Sequence, residues 1–261
     1  MDLFRRELAP IGERGWAEIE SRAREVLTSN LFCRQFLEVE GPYGFDYNAY
    51  PLGSLNNLKN PPDALGWGVR AVLPLVEVRA PFKLSLWELD NLYRGNFVVD
   101  FSSMERAALE LAEFEDRAIL KGLDEACIAG LERLAPVRMP IEGTPQSLTR
   151  QLFKAMGAMI SKGVKGPYVL VVNPALWAEA FSKSTESLME LAEDAGVSEV
   201  VLCPRLEKGI LLSPSSENMR IVLGQDVTIG YCCSSETEVH LYFTETFTFH
   251  VANPDAIVLF E

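Results

Sequence analysis

Few residues of this chain could react, and their spacing matches no common catalytic or metal-binding motif. The two histidines, His240 and His250, are ten residues apart, and no third ligand follows at metal-site spacing. His250 lies in the segment TETFTFHV, where strand alternation puts it on the same face as three threonines. The sequence contains no nucleophile elbow, phosphate-binding glycine loop or HExxH. We therefore predict a structural His250, and we expect no catalytic residue and no metal site.

Carboxylates and thiols offer two weaker candidates for chemistry. Glu110 and Glu113 are one turn apart on a predicted helix, but carboxylate metal sites in bundles also use a Glu-x-x-His, which is missing. A solvated helix face is the favoured interpretation for these two and for the neighbouring Glu105, Glu115 and Asp116, and a carboxylate-dependent enzyme stays open as an alternative. Cys232 and Cys233 are adjacent, and the five cysteines show no CxxC spacing, so reduced thiols are expected. Trp87 is typical of a core or interface residue.

The charge balance limits the partners that this chain can have. Its 261 residues include 24 Lys and Arg against 37 Asp and Glu, a formal net charge of −13. Nucleic-acid binding depends on cations that neutralise phosphates, so the composition argues against it. No window approaches the roughly 18 apolar residues that span a bilayer, and the N-terminus is not typical of a signal peptide. We expect a cytoplasmic protein without a membrane partner.

Periodicity indicates an α+β order of elements rather than regular βαβ alternation. Helices are predicted at 13–31, 102–121 and 145 to about 160, with Ser102 and Glu105 at capping-box spacing. The segment 76–86 alternates apolar and polar residues, which predicts a half-buried strand, and its Pro81 suggests a sheet edge or a bend. Further strands are predicted at 168–172, 200–203, 210–212, 219–223, 241–251 and 257–260.

A long irregular segment, residues 39–68, interrupts this pattern. It is crowded with Gly, Pro and Asn, it exceeds an ordinary connection in length, and it carries four aromatic residues before Pro51. Exposed apolar residues on such an excursion usually contact a partner. The prominent features are thus arms and strands, a profile more typical of an assembly protein than of an enzyme.

Five blocks, in order and together spanning most of the chain, resemble the encapsulin shell proteins, formerly classed as linocin-type bacteriocins. They are FLEVEGPYGFDYNAYPLG (36–53), PLVEVRAPFKLSLWELDNLYRG (74–95), AEFEDRAILKG (112–122), LGQDVTIGY (223–231) and TETFTFHVANPDAIVLF (244–260). The resemblance implies an HK97-type phage-capsid fold with an N-terminal helix, an extended loop, a peripheral domain and an axial domain. The implied limits are 1–45 for the N-terminal helix and arm, 46–75 for the extended loop, 76–139 with 221–261 for the peripheral domain, and 140–220 for the axial domain.

The resemblance also implies a function. About 60 identical copies would close into an icosahedral nanocompartment. A cargo enzyme, either a peroxidase or a ferritin-like iron-oxidising protein, would be held through its C-terminal targeting peptide. A tailed-phage major capsid protein shares the fold and is the main alternative, although the acidic composition disfavours a DNA container.

Particular residues acquire roles from the resemblance. The targeting peptide would dock against apolar and acidic residues, namely Phe32, Arg34, Phe36, Leu37, Glu38, Asp226, Ile229 and Tyr231. The fivefold pore would be lined by Lys183, Ser184, Thr185 and Glu186. No cofactor is required, but FMN could stack on Trp87, as in some members of the family.

Overall fold

The computed structural model describes residues 3–59, 65–96, 98–141, 145–183, 190, 192–193 and 196–261. The helices are α1 (Glu13–Asn30), α2 (Leu86–Tyr93), α3 (Ser102–Lys121), α4 (Leu131–Leu134), α5 (Pro145–Ser161) and α6 (Pro174–Lys183). The strands are β1 (Val39–Glu40), β2 (Ala49–Lys59), β3 (Trp67–Pro74), β4 (Val76–Ser85), β5 (Val137–Met139), β6 (Val169–Val172), β7 (Glu199–Leu202), β8 (Gly209–Leu212), β9 (Met219–Leu223), β10 (Thr228–Ser234), β11 (Glu238–Val251) and β12 (Ile257–Phe260).

The chain forms two compact units. The first contains Met1–Asn30, Gly41–Phe114 and Val222–Thr248, and the second contains Leu31–Glu40, Glu115–Ile221 and Phe249–Glu261. The boundary falls within α3, β9 and β11, so each of these elements contributes residues to both units. The domain limits implied by the resemblance stay a prediction.

The first unit is organised around β11. This strand pairs antiparallel with β10 and with β4, and β9 is also its neighbour in the sheet. Alternation on β4 buries Ala80, Phe82 and Leu84 and leaves Arg79 and Lys83 exposed. The Phe82 ring packs on Phe243 of β11 at a centroid distance of 4.8 Å. The predicted half-buried strand is therefore confirmed, and β11 is its pairing partner.

Helix α3 begins and ends at the predicted residues, but its N-terminus differs from the expected capping box. The Ser102 backbone N–H donates to Asp100 Oδ1 at 2.9 Å, and Glu105 accepts a hydrogen bond from Arg22 Nε of α1 at 2.6 Å. The stripe of Met104, Ala108 and Leu111 is buried. Asp100 thus binds the first turn, while Glu105 joins α3 to α1.

The irregular segment contributes β2 and the first two residues of β3, and these two strands form an antiparallel hairpin where the sequence predicts only an extended arm. The two strands pair from Ala49 opposite Pro74 to Lys59 opposite Trp67, with two register shifts between. Its composition hides the alternation, because Gly, Pro and Asn interrupt the apolar residues.

The second unit contains a five-stranded sheet with the order β5-β12-β8-β6-β7. Strands β6, β8 and β12 are buried along their whole length, which matches their uninterrupted apolar sequences. Strand β1 pairs with the first part of β9, where Ile221 N–H donates to the Glu38 carbonyl at 2.9 Å. Among the described residues, no helix is long and apolar enough to cross a membrane.

Candidate functional site

The β2–β3 hairpin carries a cluster of exposed apolar side chains. Leu55 and Leu58 are 52% and 63% exposed, and both approach Gly68, where an added Cβ would lie within 3.3–3.4 Å of their atoms. Trp67 is 50% exposed, and the Lys59 ammonium lies 5.3 Å from its ring centroid. We call Leu55, Leu58, Trp67, Val69 and Val72 the hairpin apolar cluster. Exposed apolar area of this kind is typical of an interaction surface.

Five of the predicted cargo-peptide residues lie in the segment Leu31–Glu40, which directly follows α1 in the sequence and belongs to the second unit. Phe36 and Leu37 are buried, Phe32 is half-buried, and Glu38 is exposed. The Arg205 guanidinium lies 5.5 Å from the Phe32 ring centroid, which is a cation–π contact. Phe36 and Leu37 therefore already pack against their own chain, and Glu38 is the accessible member of the block.

Arg34 has a strong partner inside the second unit. Its Nε and Nη2 donate to both carboxylate oxygens of Glu115 at 2.6–3.2 Å, and Glu115 is completely buried. This fork-like arrangement is the strong form of an ion pair. Arg34 is therefore held by α3, and peptide binding would have to use what remains accessible of its side chain.

Asp116, the next residue of α3, fastens the same segment. Its carboxylate accepts the backbone N–H of Cys33 at 2.9 Å and of Phe32 at 3.2 Å, and it pairs with Arg205 at 2.8 Å. Burial raises the pKa of Asp116, although the Cys33 N–H and Arg205 act in the opposite direction. The sequence pattern predicts that Glu115 and Asp116 lie on a solvated face together with Glu105, Glu110 and Glu113. That assignment is wrong for these two, because both are fully buried against residues distant in sequence.

A pocket of about 380 Å³ opens beside this segment, also within the second unit. Phe36, Leu37 and Glu38 line it, and the remaining lining includes Pro167, Val169 and Glu199. The pocket thus combines apolar walls with two carboxylates. Pro167, Val169 and Glu199 were missed by the sequence interpretation, because they lie some 130 to 160 positions later in the chain and no local motif links them to Glu38.

The other three predicted cargo residues belong to the first unit. Ile229 is buried, and Tyr231 N–H donates to the Phe4 carbonyl at 2.8 Å, which adds the N-terminal segment to the edge of β10. The Asp226 carboxylate accepts the Val227 N–H at 2.8 Å and so shapes the turn before β10. The eight residues therefore form two groups, five in one unit and three in the other, and their joint role stays a prediction.

The structure describes the predicted flavin position, Trp87, but only one of the four predicted pore residues. Lys183 is the last residue of α6, and Ser184, Thr185 and Glu186 lie outside the described residues. Trp87 is 66% exposed on α2, and the Arg94 guanidinium lies 5.5 Å from its ring centroid. An open aromatic face beside a cation is compatible with stacking of an anionic flavin.

The remaining candidates for chemistry show no assembled site. Among the residues that the structure describes, no group of three or more His, Cys, Asp or Glu is placed to hold a metal ion. His250 is half-buried at the end of β11, and burial lowers its pKa, with the Arg220 charge acting in the same direction. Cys232 and Cys233 are exposed free thiols. The three threonines on the strand face of His250 are themselves buried, so both faces of this strand are covered.

Comparison with known proteins is consistent across sequence and structure. The sequence profile of the family described as encapsulating protein for peroxidase, Linocin_M18, matches residues 1–248. A type 1 encapsulin shell protein of Brevibacterium linens is 33% identical over 254 residues, which cover 95% of each chain. A ferritin-like–encapsulin shell fusion protein of Pyrococcus furiosus is 23% identical and covers 74% of this chain and 56% of its own.

Solved structures show the same architecture. A virus-like particle from Pyrococcus furiosus matches with a TM-score of 0.68 and 18% identity over 94% of this chain and 98% of its own. The capsid of Myoviridae phage XM1 matches with a TM-score of 0.54 and 15% identity over 88% and 90%. Together with the mixed helices and sheets, these similarities confirm the predicted α+β, HK97-type capsid fold.

Proposed function

Because this chain belongs to the encapsulin shell-protein family, we propose that about 60 copies of it close into an icosahedral compartment around a cargo enzyme. Its role in the family is structural, as a shell subunit. The finer proposals concern how copies meet, how cargo is retained and what else enters.

The exposed hairpin apolar cluster is the observation that carries the self-assembly proposal. A two-stranded hairpin is marginally stable alone, and here it presents side chains such as Leu58 and Trp67 to solvent. Covering one such side chain contributes roughly 1.5–3 kcal/mol. A second copy that covers the cluster would stabilise both the hairpin and the shell, and closed symmetry lets each copy give and receive the same contact.

Cargo retention is proposed to use the second-unit pocket. A targeting peptide with small and apolar residues followed by basic ones needs apolar walls and carboxylates. The apolar walls are formed by Phe36, Leu37, Pro167 and Val169. The carboxylates are those of Glu38 and Glu199. The family description favours a peroxidase cargo, and the ferritin-like fusion relative favours an iron-oxidising one. Ile229, Asp226 and Tyr231 remain proposed contacts for another part of the peptide.

Further features complete the proposal. The shell has no catalytic residue of its own, lies in the cytoplasm, and contains neither nucleic acid nor membrane. The segment from Lys183 to Glu186 lines the fivefold pore, through which small solutes reach the cargo. FMN is an optional ligand that stacks on Trp87.

Deletion of residues 48–66 tests the assembly proposal. We expect uniform hollow particles from the wild type in negative-stain microscopy and folded, soluble, unassembled subunits from the deletion variant. Nuclease treatment should not change the particles or their absorbance ratio, which separates an enzyme container from a DNA container. A wild type that stays monomeric at micromolar concentration would refute the proposal.

Cargo docking is tested by co-expression with a fluorescent protein that carries a targeting peptide. Glu38→Lys and Glu199→Lys should each reduce loading per particle and weaken its salt dependence, because they invert the charge at one pocket. Ile229→Asp tests the first-unit contact separately. Glu190→Lys, at an exposed position outside the pocket lining, is the matched charge control. Normal loading of the Glu38 and Glu199 variants would place the docking site elsewhere.

A further inference from the structure

A cationic cavity of about 830 Å³ lies in the first unit, in a chain with a net charge of −13. Four cations line it: Arg5, Arg79, Lys83 and Arg106. No carboxylate occurs among the described residues of its lining. Acidic residues outnumber basic ones by 37 to 24 in the whole chain, so a positively charged cavity runs against the overall charge of the protein.

The sheet and α3 bring these cations together. Arg79 and Lys83 are four residues apart on β4, so both project from its exposed face. Arg106 lies one turn into α3, and the first turn of that helix is fastened to β4 because Lys83 N–H donates to Ser103 Oγ at 3.4 Å. The N-terminal end of a 20-residue helix adds partial positive charge to the same cavity.

The carboxylate partners of these cations can be exchanged at small cost. Arg79 pairs with Glu77 at 2.9 Å, Lys83 with Glu238 at 2.7 Å, and Arg106 with Glu110 at 3.9 Å. Each pair is solvent-exposed, and pairs of this kind contribute only about 0–1 kcal/mol. An anion that meets several of these cations at once makes stronger, charge-assisted hydrogen bonds than any single pair.

One wall of the cavity is rigid. The Tyr242 ring lies across Gly230 of β10, where an added Cβ would be only 2.2 Å from Tyr242 Cζ. The Arg79 guanidinium lies 5.1 Å from the centroid of that ring. The absence of a side chain at Gly230 therefore leaves room for the ring, and the ring in turn packs against the Arg79 guanidinium.

We propose that this cavity binds a small anion that bears two or more phosphate groups. The volume falls in the range of small-molecule sites, about 300–1,000 Å³, and guanidinium groups match phosphate geometry. Trp87 is not among the described lining residues, so the site is distinct from the proposed flavin position. The proposal does not depend on the shell function.

The test is calorimetric titration of the purified full-length protein, in the assembly state in which it is isolated, with pyrophosphate. Lys83→Met combined with Arg106→Gln should weaken pyrophosphate binding about tenfold or more, since two charge-assisted contacts are lost. Arg133→Gln is the control, because Arg133 is also exposed and ion-paired but lies outside the lining. It should change the affinity less than about twofold.

Two further ligands, an organic phosphate and a hexaglutamate peptide, are titrated in the same way. ADP, an organic diphosphate, should bind to the wild type and to Trp87→Ala and lose affinity in the double variant, which would support this cavity as the site of an organic phosphate. Loss of ADP binding in Trp87→Ala with the double variant unaffected would overturn the proposal. No pyrophosphate binding at millimolar concentration, an unaffected double variant, or tighter binding of a hexaglutamate peptide than of pyrophosphate would overturn the proposal.

Discussion

Strands β11 and β2 are the two longest of the described chain, and they differ completely in what covers them. In β11, seven consecutive residues from Phe243 to Phe249 are buried, so both faces of the strand are covered. In β2, all eleven residues are described and none is buried. Strand β11 has partners on both edges, whereas β3 is the single pairing partner of β2 among the residues that the structure describes.

The difference separates stability of the subunit from stability of the assembly. The β11 side chains are covered by their own chain, so their burial contributes to folding whether or not copies meet. About half of the surface of the hairpin apolar cluster is exposed, and burial of that half can contribute only when something else covers it. Substitutions in the two strands should therefore fail in different assays.

The largest expected effect comes from adding charge to the hairpin apolar cluster. In Leu58→Glu combined with Trp67→Glu, each interface would lose two apolar contacts of roughly 1.5–3 kcal/mol and gain two desolvated charges. We expect almost complete loss of particles in analytical ultracentrifugation, with circular dichroism like that of the wild type. Leu109→Glu, an exposed leucine of α3, is the control for the chemical change. Normal particles from the double variant would show that the hairpin is not an interface.

Truncation of a β11 aromatic should produce the opposite result. Phe247 is fully buried and makes an edge-to-face contact with Phe114 at a centroid distance of 6.4 Å. Phe247→Ala should lower the free energy of unfolding by about 3–5 kcal/mol, because it removes a large side chain and leaves a cavity. Urea unfolding of the unassembled subunit measures this. Phe153→Ala, at an exposed phenylalanine, should change it by less than about 0.5 kcal/mol, and equal losses at both positions would contradict the comparison.

Ion pairs extend the comparison to charges. Glu115→Ala removes the fully buried carboxylate that binds the part-buried Arg34 guanidinium in bidentate fashion, which should cost about 3–5 kcal/mol. Glu110→Ala breaks the exposed pair with Arg106 and should cost only about 0–1 kcal/mol. Thermal denaturation of the two variants under identical conditions distinguishes them. If Arg34→Met combined with Glu115→Leu recovers most of the loss, the cost came from the unpaired charge rather than from lost packing.

The smallest expected effect is a pH dependence from His250 at the end of β11. Its pKa in the folded chain is lowered below the ordinary value of 6.5 by burial, so the unfolded chain binds a proton first as the pH falls. Stability should therefore be fully present above about pH 6.5 and decline between that value and the lower folded pKa. His250→Gln should flatten this decline in melting temperatures measured across the window. His240→Gln controls for removal of a histidine, and an unchanged decline in His250→Gln would assign the effect to other groups.

Much of the fold follows from local sequence pattern. The predicted helices α1, α3 and α5 and the alternating strand β4 are confirmed nearly to the residue, because each has a continuous periodic pattern. The short helix α2 was missed. It follows β4 directly, and the alternating pattern of that strand was extended into its first residue, Leu86.

The candidate site was predicted less completely. The block from Phe32 to Glu38 was chosen by resemblance, and the structure places three of its residues in one pocket. Glu199 lies far from Glu38 in the sequence, and Glu115 lies far from Arg34. No local sequence motif therefore predicts either contact. The four cations of the first-unit cavity come from three separate segments, so no window of sequence would have grouped them.

The sequence by itself therefore determined the family, the types of the strongly periodic elements and the absence of a common catalytic motif, since all three depend on residue order along the chain. Only the tertiary structure decided which polar residues are covered. Glu115, Asp116 and the threonines of β11 are buried, and the hairpin apolar cluster of β2 and β3 is exposed. The physical reason is that periodicity states which face of an element is apolar, whereas burial depends on whether a distant segment folds back over that face.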